Sequence, residues 1–289
     1  MSSPIPRSHT TFAAFALASI GLFWAPLHQW LSLSLADQRY SHLILIPVIS
    51  AFFLYLERRR IFSPMAFRPG VGLLFLAASV AIYALLALRV VQPSPNYLLS
   101  AVMLSIVLVW VAAFAVCYGV YTFRAALFPL LLLLLIVPVP FAEMDKIIAV
   151  LQRGAAEATY LRFKLAGVPM FRHGVTFELP GIGIEVAAEC SSIHSAWALF
   201  ITGLLLGHLF LKSLWTKICL SVLTIPVAAF TNAVRIVILW FLGTHVDPGF
   251  LTGSLHHNGG IVFSLISLSI LMTCFFFLRK TEANLVGHG

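Results

Sequence analysis

Apolar runs of bilayer-spanning length recur along almost the whole chain, and no other feature limits its fold as strongly. They fall at about 11–28, 42–56, 70–89, 97–118, 124–141, 191–211, 217–242 and 260–278. Most approach the roughly 20 residues that cross about 30 Å of hydrocarbon. The second run is short, so it is either partly re-entrant or begins earlier. Of the 289 residues, 61% are hydrophobic and 10% charged, whereas a soluble domain carries about 25% charged residues. The chain therefore lacks the polar surface to face water on all sides. The expected fold is an all-α polytopic membrane protein of about eight transmembrane helices, with a small β-hairpin before the sixth. It forms one domain over 1–289: five helices in 1–141, an outer segment in 142–189 and a three-helix part in 190–289.

The net charge is +8, but its distribution speaks against nucleic acid. Lysines and arginines cluster at the ends of apolar runs, where they fix topology. No basic face with interleaved aromatics is present to hold a phosphate backbone. With the N-terminus inside, the inner side collects ten basic and two acidic residues and the outer side eight of each. Arg58, Arg59, Arg60, Arg279 and Lys280 dominate that bias. The positive-inside rule then puts both termini in the cytoplasm. Met1 to Trp30 reads as a retained first helix and not as a cleaved signal peptide, since no small-residue cleavage site stands out.

Ala142 to Glu189 is the one long stretch between spans, and this topology places it outside. Ile147, Ile148, Leu151, Ala155, Ala158, Leu161 and Leu165 recur at helical spacing and predict an amphipathic helix over 144–165. Such a helix suits the membrane interface, with Arg162 snorkelling to the headgroups. Beyond it Val175, Phe177 and Leu179 alternate with polar residues, Pro180 to Gly183 turns the chain, and Ile184 and Val186 alternate again. That pattern predicts a β-hairpin over 171–188.

Ionisable groups at membrane depth are costly and usually functional. Three places in the last hundred residues carry them, all at the outer face in this topology. Cys190 stands at the entrance to the sixth helix in Glu189-Cys190-Ser191-Ser192-Ile193-His194. Asn232 and Arg235 share a face near the outer end of the seventh, being three residues apart. His256 and His257 precede the eighth, followed by Gly260. A thiolate attacks carbonyls and is favoured by a helix N-terminus and a nearby cation. An imidazole carries protons near neutral pH, and an arginine stabilises an oxyanion. Taken singly, each has a plainer explanation: packing for the thiol, snorkelling for the arginine, solvent exposure for the histidine. Cys117, Cys219 and Cys274 lie inside apolar runs and read as small hydrophobes.

The ordered strings E-C-S-S-I-H-S, T-N-A-V-R-I and L-H-H-N-G-G, each on or beside a helix, resemble the motifs of the exosortase/archaeosortase family. The resemblance places the family's nucleophile on Cys190, its arginine on Arg235 and its histidine on His256, with Asn232 and Gly260 on flanking positions. His194, His257 and Glu189 fall beside them as supporting residues. Ser192 and His194 depart from the family's usual glycine and arginine. What the resemblance implies is a multi-pass enzyme of the bacterial inner membrane, a cysteine protease/transpeptidase with its active site on the periplasmic face. It would cleave C-terminal sorting tails of exported proteins, of the PEP-CTERM type with a short recognition motif, a transmembrane helix and a basic cluster, through a thioester to Cys190. The acyl group would pass to an unknown acceptor, often in cells that make exopolysaccharide. The partners implied are the substrate tail and the lipid bilayer, without nucleic acid and without a cofactor.

Two alternatives belong to other classes. A transporter or scaffold would use Asn232 and Arg235 to line a polar pathway. A zinc peptidase would need His245, His256 or His257 with Glu189, but no HExxH is present and the spacing fits no ligand pattern. No metal is therefore expected.

Overall fold

A computed structural model of the protein describes residues 4–63, 70–88, 93–179, 182–186, 193–247 and 260–287. The chain divides into two compact units, Met1–Glu143 and Met144–Gly289. Among the described residues six helices are long and apolar enough to cross a membrane, or eight if two bent pairs each count as one span. The protein is an all-α polytopic membrane protein with a small antiparallel sheet.

In the first unit the N-terminal run is a broken helix. Helices α1 (Pro4–Leu22) and α2 (Trp24–Ala36) meet at a 79° bend. Pro26 explains the break, because its ring nitrogen cannot donate to the Leu22 carbonyl and its ring crowds that oxygen. The short second run does begin earlier: a 3-10 turn over Gln38–Ile44 leads into α3 (Leu45–Leu56), and together they span 19 residues. Just before that turn, Arg39 clasps the Asp37 carboxylate at 2.7 Å and holds its pKa below the ordinary carboxylate range. The arginine cluster forms α4 (Arg58–Ile61). Helices α5 (Gly70–Ala87) and α6 (Pro95–Ala125) pack side by side. A Cβ on Gly72 would lie 2.6 Å from a methyl of Val116 and 2.8 Å from its backbone nitrogen, so the crossing depends on the missing side chain.

The fifth apolar run is not one straight helix. It comprises α7 (Leu127–Leu132), a 3-10 turn over Leu133–Ile136 and an extended stretch through Pro138 and Pro140. The two prolines stop the helix and strip it of donors. Side chains from elsewhere in the unit cover the carbonyls left over. Trp30 Nε1 donates to Ile136 at 2.8 Å, Tyr40 Oη to Val139 at 2.7 Å and Ser100 Oγ to Pro138 at 2.7 Å. Ser50 Oγ donates to Pro129 at 2.7 Å.

The second unit begins within α8 (Phe141–Leu165). Its buried stripe runs through Met144, Ile148, Leu151, Ala155, Thr159 and Phe163, rotated from the apolar face expected from sequence. Ile147, Leu161 and Leu165 are exposed instead. The reason is the sheet: Ala155, Ala156 and Phe163 pack against Phe177, Leu179, Val186 and Ile236. Arg162 is half-buried along the helix. Its guanidinium lies 4.2 Å over the Phe230 ring and donates to the Ala158 carbonyl. The predicted hairpin is present as β2 (Thr176–Leu179) and β3 (Ile182–Glu185), with Phe177 opposite Ile184. A further strand, β1 (Phe171–His173), pairs with β2 and makes the sheet three-stranded. Arg172 ties β1 to α8 by donating to both Glu157 oxygens, at 2.7 and 3.0 Å.

Three long helices complete the unit: α9 (Ile193–Phe210), α10 (Leu214–His245) and α11 (Gly260–Gly287). They pack against one another around Leu199, Leu220, Val227, Leu271 and Phe275. Near its end α11 sends Glu282 to accept the backbone N–H groups of Lys212 and Ser213, which covers donors at the start of α10. Cys117 in α6, Cys219 in α10 and Cys274 in α11 are half-buried free thiols.

Two outcomes follow from this packing. Gly72→Ala is expected to cost about 1–3 kcal/mol by overpacking, read as a lower Tm in detergent. Gly21→Ala, where a Cβ meets nothing within 4 Å, leaves Tm unchanged or raises it. The second concerns pH. Arg172 holds the Glu157 carboxyl below its ordinary value, so the ion pair steadies β1 at and above the ordinary Glu pKa of about 4.3. That contribution is lost as pH falls through the lowered value. Hydrogen-exchange protection of β1 and β2, corrected for intrinsic rates, should fall there in wild type and show no such step in Glu157→Gln.

Candidate functional site

Polar side chains inside an apolar helix bundle need partners close at hand, and α9, α10 and α11 supply one another with them. On α10, Thr231 Oγ1 lies 2.7 Å from Ser267 Oγ of α11, both buried. On α9, Ser195 Oγ lies 3.0 Å from Ser264 Oγ, also of α11. Each α11 serine lies one or two turns from the helix start at Gly260.

Between these two hydroxyl pairs sits a cavity of about 20 Å³, lined by Ser195, Thr231, Asn232, Arg235, Ser264 and Ser267, with Ala228 and Phe263 as apolar walls. Its size suits a single water. Asn232 is 4% exposed and Arg235 half-buried, one turn apart on the same face of α10. The helix continues to His245, ten residues or about 15 Å beyond Arg235. The guanidinium therefore stands deeper in its helix than the apolar run suggests.

Of the other residues singled out in sequence, Gly260 opens α11 and His194 is exposed in the first turn of α9. Cys190, Glu189, His256 and His257 lie outside the described residues. In the chain, Cys190 precedes Ser195 by five residues and His256 precedes Ser264 by eight. His245 is occupied on its own helix: it stacks on Phe241 at 4.6 Å, and Thr244 Oγ1 is 2.7 Å from its Nδ1. Among the described residues no group of three His, Cys, Asp or Glu is placed to hold a metal ion.

A family model described as transmembrane exosortase (Exosortase_EpsH) matches residues 30–273. The chain belongs to that family. The match runs from Trp30 in α2 to Thr273 in α11 and so takes in the Asn232–Arg235 cavity. Comparison with curated proteins and with solved structures returns no match. Exosortases are membrane protein-sorting transpeptidases of the cysteine class, and the half-buried Arg235 faces a polar cavity near the starts of α9 and α11.

Sequence reasoning singled out Asn232 and Arg235 but passed over Ser195, Thr231, Ser264 and Ser267. The signal was available in their spacing. Ser264 and Ser267 are three apart, and Thr231 adjoins Asn232, which places small hydroxyls on the helix faces that meet. The hydroxyl pair between α10 and α11 should be worth about 0.6 kcal/mol and at most about 1.7 kcal/mol, as measured for such bonds in membranes. A double-mutant cycle of Thr231→Val and Ser267→Ala in detergent unfolding is expected to return a coupling in that range.

Proposed function

We propose that this exosortase cleaves C-terminal sorting tails of exported proteins by acyl transfer through Cys190. The observation that carries the reading is the polar cavity around Arg235, in a chain that belongs to a cysteine transpeptidase family. The Cys190 thiolate adds to the carbonyl carbon of the scissile peptide bond, forming a C–S bond and an oxyanion. Arg235, which cannot deprotonate and offers several fixed donors, stabilises that oxyanion. Asn232, on the same helix face, supports the carbonyl or the arginine. Collapse of the oxyanion breaks the C–N bond, and the leaving amine takes a proton from the imidazolium of His256. An acceptor amine or water then attacks the thioester, gives its proton to His256 and returns the thiolate.

In this reading the thiol lies three residues ahead of α9, where the positive end of a helix favours thiolate. The protein sits in a bacterial inner membrane, with both termini cytoplasmic and the reaction on the periplasmic face, following the basic clusters at Arg58–Arg60 and Arg279–Lys280. The substrate tail is of the PEP-CTERM type, and His194, His257 and Glu189 flank the reacting groups.

Co-expression with a tail-bearing reporter tests the reading by gel shift and mass spectrometry. Wild type should process it, and Cys190→Ala and His256→Ala should not. Arg235→Ala should lower the rate by about 10²–10³, the cost of one oxyanion donor. Arg235→Lys should recover little of it, because a lysine lacks the planar fork. Normal processing by Cys190→Ala would remove the nucleophile and with it the proposal.

A further inference from the structure

Two grooves flank α9. One, of about 410 Å³, lies between α8, α9 and α10, and bulky apolar side chains dominate its lining, among them Ile147, Val150, Trp197, Phe200 and Ile225. The other, of about 480 Å³, runs along the seam of α9 and α11, and half of its lining is small or hydroxylated, with leucines, Ile261 and His194 making up the rest. Ser195, Ala198 and Thr202 face it from α9, and Ser264 and Ser267 from α11.

Only the second groove has a material connection to the Arg235 cavity. Ser195, Ser264 and Ser267 line both, and the Ser195–Ser264 hydroxyl pair stands where the two meet. The first groove shares no lining residue with that cavity. Chemistry and shape point the same way. Within a bilayer a helix gains nothing by burying apolar surface, since lipid is equally apolar. Association depends on close backbone approach over small residues and on hydroxyl hydrogen bonds. The α9–α11 seam offers both along Ser195, Ala198 and Thr202, which cover about 10 Å of helix. The other groove has only Ala196 and Thr224 of these types among bulkier, mostly apolar side chains, and its lining suits a flexible acyl chain better.

We infer that the α9–α11 groove receives the transmembrane helix of the substrate's sorting tail, and that the peptide just ahead of that helix reaches Arg235 by parting Ser195 from Ser264 and widening the cavity behind them. This rests on the proposed function and names the face of the bundle that the substrate uses. The hydroxyl pair acts as a door in the wall between bilayer and site. It closes by one neutral hydrogen bond, cheap to open when a peptide carbonyl or amide replaces the partner.

Site-specific photo-crosslinking decides between the faces. A benzophenone amino acid is placed at Thr202 or Leu268 for the α9–α11 groove, and at Phe200 or Ile225 for the other, in chains co-expressed with the tagged reporter. Adducts to the reporter's helix from Thr202 and Leu268, and none from Phe200 and Ile225, are expected. Adducts from Phe200 or Ile225 alone, or lipid adducts alone at Thr202 and Leu268 while wild type still processes the reporter, overturn the groove and leave the acyl-transfer reading standing. A disulfide between Ser195→Cys and Ser264→Cys gives a second measure. Processing should stop when it is oxidised and return with reductant, and unchanged processing in the oxidised form overturns the door. If Cys190→Ala processes normally, the parent reading falls, and the groove with it.

Discussion

Hydrocarbon offers no hydrogen bonds, so every polar group at membrane depth must find its partner within the protein. The two units meet that requirement in different ways. In the first, prolines break the chain around 129–140, and Trp30, Tyr40, Ser50 and Ser100 donate to the carbonyls left over. In the second, hydroxyls on facing helices pair across their interfaces, and Glu282 covers amides at the start of α10. The broken stretch keeps its shape because four side chains hold it. The bundle keeps its register because its hydroxyl pairs meet only when α9, α10 and α11 are in one alignment.

That register also explains why a guanidinium is tolerated so far along α10. Arg235 is half-buried and shares its cavity with four hydroxyls and the Asn232 amide, with room for about one water. Charges inside a low-dielectric site interact strongly with any charge that forms beside them. In the proposed reading, a cation set among dipoles that need not reorganise stabilises a developing oxyanion. The same residue in an exposed loop would be screened by water and worth far less.

How legible this was from sequence depended on whether the deciding contact was local. The spans were legible because apolar runs report burial in lipid directly. So was the β2–β3 hairpin, whose alternation at Val175, Phe177 and Leu179 is a local pattern. The break at Phe23 carried its signal in Pro26, but an uncharged run hides a bend. The rotation of the α8 stripe was not legible, because both faces carry apolar residues. Which one is buried depends on a sheet that Ala155 and Ala156 allow to come close. Strand β1 escaped notice for a similar reason: Phe171, Arg172 and His173 show no alternation, and their place is set by pairing with β2 and by Glu157. At the site, Asn232 and Arg235 were legible because charge in an apolar run is conspicuous. The serines were less conspicuous: their spacing carried a signal, but a hydroxyl in a helix can equally bond back to its own carbonyl, as Ser267 also does to Phe263.

The serines nevertheless matter most to how the site meets its surroundings. A guanidinium that faced lipid directly would carry a large desolvation cost, and one sealed behind leucines would be beyond the reach of a peptide. In the proposed reading, Ser195 and Ser264 resolve that conflict. They are polar enough to satisfy each other within the bilayer and small enough to let a second helix lie against them. Each can exchange its partner for a backbone group without leaving a donor stranded. An enzyme whose substrate is itself anchored in the membrane must admit a polar peptide bond from the side without admitting lipid. In the proposed reading, a wall made of one hydroxyl pair between the α9–α11 groove and a half-buried arginine meets both demands.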